Sequence, residues 1–241
     1  MPHEVMDVRQ IALYLRMDER EVRKLASRGK IPCRRQGDDY AFRKSDVDQW
    51  VESQLRDLPN DRLAQIEAGV RRHHGLTEEG MVVAPMIPPG GVAVPLTSRT
   101  KQSTLRDLVA LGDKCGLVYA PDALLAAIVE REELCSTAIL PNVALPHPRH
   151  PAPYDIAESF IVVGRSDNGI PFGAQDGSLT RLFFLICCKD DRTHLHVLAR
   201  LGRLLHDERT VQQLLDAPDA NELLRMLDER ERNAIAGRVD H

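Results

Sequence analysis

From Leu76 to Thr97 the sequence carries Pro85, Pro88, Pro89 and Pro95, together with the run Ile87-Pro-Pro-Gly-Gly91. Proline has a fixed φ and no amide donor, and glycine offers no side chain to pack, so no regular element can run through such a stretch. Met81 to Leu96 is also the most apolar long segment, yet it is too short and too broken to span a bilayer. The pattern predicts a chain in two parts, joined by a linker or by an irregular approach to a strand. The expected boundaries are a small unit over residues 1–55, a helix and linker over 56–91, and a larger unit over 92–241. A length of 241 residues suits this division, at roughly 100–200 residues per domain.

Composition narrows the class. At 43% hydrophobic and 28% charged the chain reads as an ordinary folded protein rather than a disordered or fibrous one. The net charge of −4 excludes a chain basic throughout, but not a basic patch. Cys33, Cys115, Cys135, Cys187 and Cys188 have neither the spacing of a disulfide framework nor a CxxC zinc pattern, so they are expected to be small buried hydrophobes in a reducing compartment. The first residues lack a basic-then-apolar signal pattern. The expectation is a soluble cytoplasmic protein without membrane contact.

In the first unit, Asp7 can cap a helix whose Val8, Ile11, Ala12 and Leu15 follow helical spacing. Met17 makes a short turn, and Asp18-x-x-Glu21 reads as a capping box opening a second helix that stops at Gly29. Two helices across a tight turn form the helix-turn-helix pattern. Arg34-Arg35-Gln36, the turn Gly37-Asp38-Asp39 and Tyr40-Ala41-Phe42 then make a hairpin that can serve as a wing, and Ser45 is placed to cap a last helix with Val47, Trp50 and Val51. Arg20, Lys24 and Ser27 share one face of the second helix, with Arg23 and Arg28 beside them. Residues 20–35 hold seven basic side chains and one acidic, a local +6. Such a surface suits phosphate contact, and arginine can read guanine edges in the major groove. A charge run is more often a solvated helix face; here it coincides with the helix that would enter the groove. The candidate DNA-binding residues are therefore Arg20, Arg23, Lys24, Ser27, Arg28, Arg34 and Arg35. The stretches Val8-Arg-Gln-Ile-Ala-Leu-Tyr-Leu and Tyr40-Ala-Phe-Arg-Lys-Ser-Asp-Val47 resemble the excisionase/MerR-like winged helix-turn-helix family.

Arg56 to Gly75 follows as a helix with a thin stripe of Leu58, Leu63, Ile66 and Val70. The remainder alternates helical and strand patterns, predicting an α/β unit around one sheet. Helices are expected over Thr104–Leu117 and from Pro121 with Arg131 near its end, with a strand or turn region over Ser136–Leu145. Short apolar runs at Ser159–Gly164 and Leu179–Cys188 read as buried strands, with Ser166-Asp-Asn-Gly169 and Asp176-Gly177 as turns. A long helix is expected over His194–Leu215, and a last one capped by Asp219-x-x-Glu222.

His147, held between Pro146 and Pro148, is the residue with distinctive chemistry. A neutral imidazole nitrogen can attack a phosphoryl group, bind a metal or take a proton, and the flanking prolines limit the directions in which the ring can point. A loop histidine with a structural hydrogen bond is the plainer alternative. On the long helix His194 lies on the inward stripe with Leu198 and Leu201, whereas His196, about 200° around the axis, is expected to face water. The two would make a poor metal pair. His73-His74 and His147-x-x-His150 are the remaining metal candidates, and adjacent histidines on a polar helix are more often plain surface. No metal and no cofactor is expected.

The stretch from Arg131-Glu-Glu-Leu through Ala144-Leu-Pro-His147-Pro-Arg149, then Phe172-Gly-Ala-Gln-Asp-Gly177 and Thr193-His-Leu-His-Val-Leu-Ala-Arg-Leu201, is similar to the type-2 enzyme IIA domain of the bacterial phosphotransferase system, in its fructose/mannitol/nitrogen-regulatory branch. That resemblance implies an α/β (α+β) fold with a central mixed sheet flanked by helices, preceded here by the small winged unit. It implies a phosphocarrier in which His147 accepts phosphate from the histidine-containing phosphocarrier protein, the second histidine falls on His194, and the site arginine falls on Arg131. The chain departs from the family where Pro148 replaces the glycine after the histidine, and where Ala138, Leu140 and Pro141 replace a glycine-rich approach. Pro148 removes an amide that could have met the phosphate.

Three readings follow. The first is a phosphotransferase-system regulator that binds DNA through its N-terminal unit, its carrier activity regulatory rather than for sugar uptake. The second is a carrier whose N-terminal unit docks a protein. The third is a ligand- or metal-sensing transcription regulator whose enzyme IIA-like domain has lost phosphotransfer. The oligomeric state is left open, a dimer included.

Overall fold

The computed structural model describes residues 4–54, 58–73 and 80–237. It divides into two compact units: Met1–Glu79 with Leu198–Arg203, and Gly80–Val197 with Leu204–His241.

In the first unit β1 (Val5–Met6) leads to α1 (Val8–Leu15). Asp7 and Gln10 form a reciprocal capping box, and Val8, Ile11, Ala12 and Leu15 are buried. Arg16, at φ 56°, ends α1 in the left-handed region. In α2 (Glu19–Ser27) the expected box with Glu21 does not form: the Asp18 carboxylate accepts from the nearer Arg20 amide at 2.7 Å and caps the helix alone. Gly29 (φ 64°) then turns the chain, with the Lys30 amide donating to the Leu25 carbonyl. β2 (Arg34–Gln36) and β3 (Asp39–Arg43) form the antiparallel wing, and β1 pairs with the other edge of β3. α3 (Lys44–Gln54) follows without a break, so Ser45 lies inside it and caps nothing. The Lys44 amide donates to the Glu4 carbonyl at 2.9 Å, extending the β1–β3 ladder into the helix. α4 (Asn60–His73) buries Leu63, Ile66 and Val70. It starts after Pro59, whose carbonyl accepts from the Leu63 amide. Leu58 therefore precedes the helix, and the expected ends at Arg56 and Gly75 lie outside the described residues.

The second unit is a mixed sheet in the order β4 (Val92–Ala93), β6 (Phe160–Ile170), β7 (Thr180–Cys187) and β5 (Val143–Ala144). The central pair is antiparallel and each short edge strand runs parallel to its neighbour. The Pro/Gly-rich approach belongs to this unit, with a 3-10 turn at Ala84–Met86 before β4. α5 (Lys101–Lys114), opened by a Thr100–Ser103 capping box, and α6 (Pro121–Leu134) cover one side. Leu105, Leu108, Leu124 and Ile128 pack there with Phe160, Val162, Phe183 and Leu185. Gly164 makes that contact possible, because a Cβ on it would lie 2.8 Å from the Leu96 side chain.

Three expectations give way here. Ser166–Gly169 is no turn between strands: β6 runs through it to Ile170, with the register shifting between Arg165 and Ile170. The helix expected over His194–Leu215 is two, α7 (Asp191–Leu205) and α8 (Glu208–Asp216), because the Asp207 carboxylate accepts from the Arg209 and Thr210 amides and starts a new helix. His196 does not face water. It is 7% exposed, with Leu195 and Val197 buried on either side of it; the stripe argument assumed one wet face. α9 (Ala220–Ile235), capped by Asp219, closes the unit. The cysteines also divide: Cys187 and Cys188 are buried, Cys33 and Cys115 half-buried and Cys135 exposed, all as free thiols.

Candidate functional sites

The candidate phosphoryl site lies in the second unit, where α6, the segment after β5 and the first turn of α7 supply its side chains. β5 pairs with β7, and the Ile186 amide of β7 donates to the Pro146 carbonyl at 2.9 Å. This fixes the backbone just before His147. The His147 ring is 3% exposed, and its Nδ1 lies 2.7 Å from the Leu145 carbonyl oxygen. A carbonyl oxygen only accepts, so Nδ1 carries a proton in this contact. His194 meets this ring, with centroids 4.8 Å apart and planes at 57°. It sits in the first turn of α7, which Asp190 caps by accepting from the Thr193 amide at 2.8 Å. The positive end of a helix favours a negative group placed near it.

Arg131 lies in the last turn of α6 and is 7% exposed. Its guanidinium donates to the Cys135 carbonyl at 2.8 Å, tying down the turn after the helix. Beside it stands a residue that the sequence reading passed over. Glu132, 3% exposed, pairs with Lys101 at 3.0 Å and accepts from both the amide and the hydroxyl of Thr137. The available signal was its place next to Arg131.

The two metal candidates do not assemble as pairs. His150 is exposed while His147 is buried. His73 packs edge-on against Tyr14 at 5.1 Å and lies 3.4 Å from Glu4, and His74 lies outside the described residues.

In the first unit Arg20, Arg23, Lys24 and Ser27 of α2, Arg28 just after it, and Arg34 and Arg35 of β2 are all exposed. Their roles separate. Arg23 reaches the wing, 2.6 Å from Asp39, and lies 3.6 Å from Glu19 on its own helix. It is a strut between α2 and the hairpin, its charge already shared by two carboxylates. Arg20, Lys24, Arg28, Arg34 and Arg35 make no ion pair among the described residues, so their charge is available to an anionic partner. No helix among the described residues is long and apolar enough to cross a membrane.

Comparison with known proteins addresses each unit. The family model described as phosphoenolpyruvate-dependent sugar phosphotransferase system, EIIA 2, matches residues 86–230, and a helix-turn-helix domain model matches residues 5–55. The fructose-specific EIIABC component of Bacillus subtilis is 27% identical over 154 residues, which is 63% of this chain and 24% of that protein; the chain thus spans about a quarter of that relative's length. A nitrogen regulatory protein of Bradyrhizobium diazoefficiens is 28% identical over 151 residues, covering 61% of this chain and 95% of its own. The crystal structure of nitrogen regulatory protein IIA-Ntr from Neisseria meningitidis superposes with a TM-score of 0.54 at 21% identity, over 60% of this chain and 97% of that one. That likeness establishes the mixed α/β fold.

Proposed function

We infer the function from one premise: the chain belongs to the EIIA 2 family of the phosphoenolpyruvate-dependent sugar phosphotransferase system. It carries a helix-turn-helix domain on the same chain, and this combination is that of a phosphotransferase-system regulatory protein. In our reading His147 accepts a phosphoryl group from the histidine-containing phosphocarrier protein, and residues 1–55 bind DNA.

The observation that carries this reading is the direction of the His147 ring. With Nδ1–H donated to the Leu145 carbonyl, the Nε2 lone pair attacks phosphorus. A new N–P bond forms as the donor's N–P bond breaks, and the donor imidazole leaves with the bonding electron pair. The Nδ1 proton stays, and the charge it acquires is eased by the carbonyl. Phosphoryl transfer asks a protein mainly for positioning and electrostatic stabilisation. His194, in ring contact with His147, orients the transferred group, and the Arg131 guanidinium neutralises its oxygens. Pro148 supplies no amide for them, so more of that work rests on these two side chains.

On the DNA side, the free cations Arg20, Lys24, Arg28, Arg34 and Arg35 contact phosphates and groove edges, while Arg23 holds the wing in place. The test is radiolabel transfer from phosphoenolpyruvate through the two general phosphotransferase proteins. His147→Ala is expected to abolish acid-labile uptake, because no other residue offers the nucleophilic ring there. His194→Ala and Arg131→Ala slow it while circular dichroism shows the fold retained. Wild-type protein that never takes label, or label that survives in His147→Ala, would make a ligand-sensing regulator the better account.

A further inference from the structure

We propose that Glu132 is a positioning residue for His147, acting through Thr137 and the backbone of Leu145; the inference rests on His147 being the phosphoryl acceptor. A chain of short contacts carries it. Lys101, at the start of α5, lies 3.0 Å from Glu132 Oε1, and its ammonium stands over the Phe172 ring at 5.3 Å from the centroid. Glu132 Oε1 accepts from the Thr137 amide at 2.9 Å, and Oε2 accepts from the Thr137 hydroxyl at 2.6 Å. Thr137 is itself 2% exposed. Its carbonyl accepts from the Leu145 amide at 3.1 Å, and the Leu145 carbonyl, on the same residue, accepts from His147 Nδ1 at 2.7 Å. Two backbone carbonyls therefore stand between a buried carboxylate and the ring proton.

The arrangement has a direction. A carboxylate is a two-oxygen acceptor, and here both oxygens grip one residue, the amide on one side and the hydroxyl on the other. Thr137 cannot rotate or slide without breaking a charge-assisted bond inside the protein, where an unmade bond is most costly. With Thr137 fixed, the loop between α6 and β5 holds the Leu145 peptide at one height, and the Leu145 carbonyl selects the tautomer that leaves Nε2 bare. Nothing in this relay touches the phosphoryl group. Its effect falls on the fraction of rings that point correctly and carry their proton on Nδ1.

The experiment reads the ring directly. Long-range proton–nitrogen correlation spectra of nitrogen-15-labelled full-length protein distinguish the two tautomers of His147, with His147→Ala supplying the assignment. Wild type is expected to show Nδ1 protonated and Nε2 bare. Glu132→Gln, whose amide puts a donor in place of one carboxylate oxygen, is expected to give a mixture of tautomers and about a tenfold slower label uptake. Thr137→Val removes the hydroxyl and shifts the spectrum the same way, while Thr137→Ser restores both spectrum and rate; this pair decides the matter if Glu132→Gln does not fold. A carboxylate that merely stabilised the fold would lower the melting temperature and leave the ring spectrum of the folded protein unchanged. An unchanged spectrum in folded Glu132→Gln or Thr137→Val overturns the proposal. Failure of wild type to accept phosphate instead overturns the acceptor assignment, and the ring spectra still decide whether Glu132 sets the tautomer.

Discussion

Glu231 of α9 is fully buried, and its carboxylate gathers backbone amides from the segment leading to β4. Oε1 accepts from Val82 at 2.6 Å and Val83 at 3.0 Å, and Oε2 accepts from Val83 at 3.1 Å and Ala84 at 2.9 Å. Among the described residues the segment Val82–Ala84 pairs with no strand, so one side chain does for it what a sheet neighbour would do. The informative substitution is Glu231→Gln, which conserves shape. Its amide oxygen can keep Val82 and Val83, but its nitrogen then faces the Ala84 amide, donor against donor. Stranding one buried amide costs about 1–3 kcal/mol, and losing the charge from the other bonds costs about 1 kcal/mol more. The expected loss is about 3 kcal/mol, a large share of the roughly 5–15 kcal/mol that holds a domain folded. At about 2–4 °C per kcal/mol for a chain of this size, the transition of the second unit should fall by about 6–12 °C. Scanning calorimetry measures it, with Glu229→Gln as control. Glu229 pairs with Arg225 on the surface, both about 60% exposed, and such pairs contribute about 0–1 kcal/mol. If Glu231→Gln melts within about 2 °C of wild type, the carboxylate is not what holds this segment, and the reasoning from buried acceptors fails here.

On the DNA side, Arg20→Ala with Lys24→Ala is expected to lower the log–log salt slope of binding by about 2, one for each lost phosphate contact. Arg23→Ala lowers it by less than Lys24→Ala because Asp39 already holds the Arg23 charge; fluorescence anisotropy across a salt series separates the three variants. Asp207→Ala should cost about 1 kcal/mol as a lost helix cap. Burial pulls the Asp207 carboxyl upward, but the Thr210 hydroxyl, the Arg209 and Thr210 amides and the Arg230 charge together hold it below the usual carboxylate value. The cap's contribution is therefore full above about pH 4 and is lost as the pH falls through the lowered folded value, so melting curves of wild type and Asp207→Ala should converge in acid. Thiol labelling of native protein should modify the exposed Cys135 first. Cys187 should react only after unfolding, since complete burial, with the neighbouring Cys188 adding to it, raises its thiol well above the ordinary value and keeps it protonated.

What the sequence made legible was whatever is settled within a few residues. Asp7 and Asp219 each cap a helix because the acceptor and the amides it meets are adjacent in the chain. The wing is readable because Gly37 takes the positive φ that its turn requires. The Asp207 cap was equally local, and reading one helix across it gave weight to apolar spacing over a capping signal that stood in plain view. β1 was of another kind. Two residues hold no periodicity, and Val5–Met6 is a strand only because β3 lies beside it. His196 shows the same limit: a stripe tells which face of a helix is apolar, not whether the other face stays wet.

The histidine site divides along this line. The flanking prolines marked His147 as a ring held in a restricted direction, whereas the helical spacing meant to set His194 apart did not do so, since His196 is the more buried of the two. The relay behind it joins the first residue of α5, the last turn of α6 and the loop before β5, and becomes visible only when those three close on one another. Each link is weak as a sequence signal: a lysine opening a helix, a glutamate beside an arginine, a threonine in a loop. Together they bury a carboxylate with its partners supplied, and burial is the property that no local window reports. The side chain proposed to accept the phosphoryl group is thus the easy one to nominate from sequence, while those proposed to set its direction are distributed through the fold. Substitutions at Glu132 or Thr137 should for that reason alter the chemistry of a ring that neither residue touches.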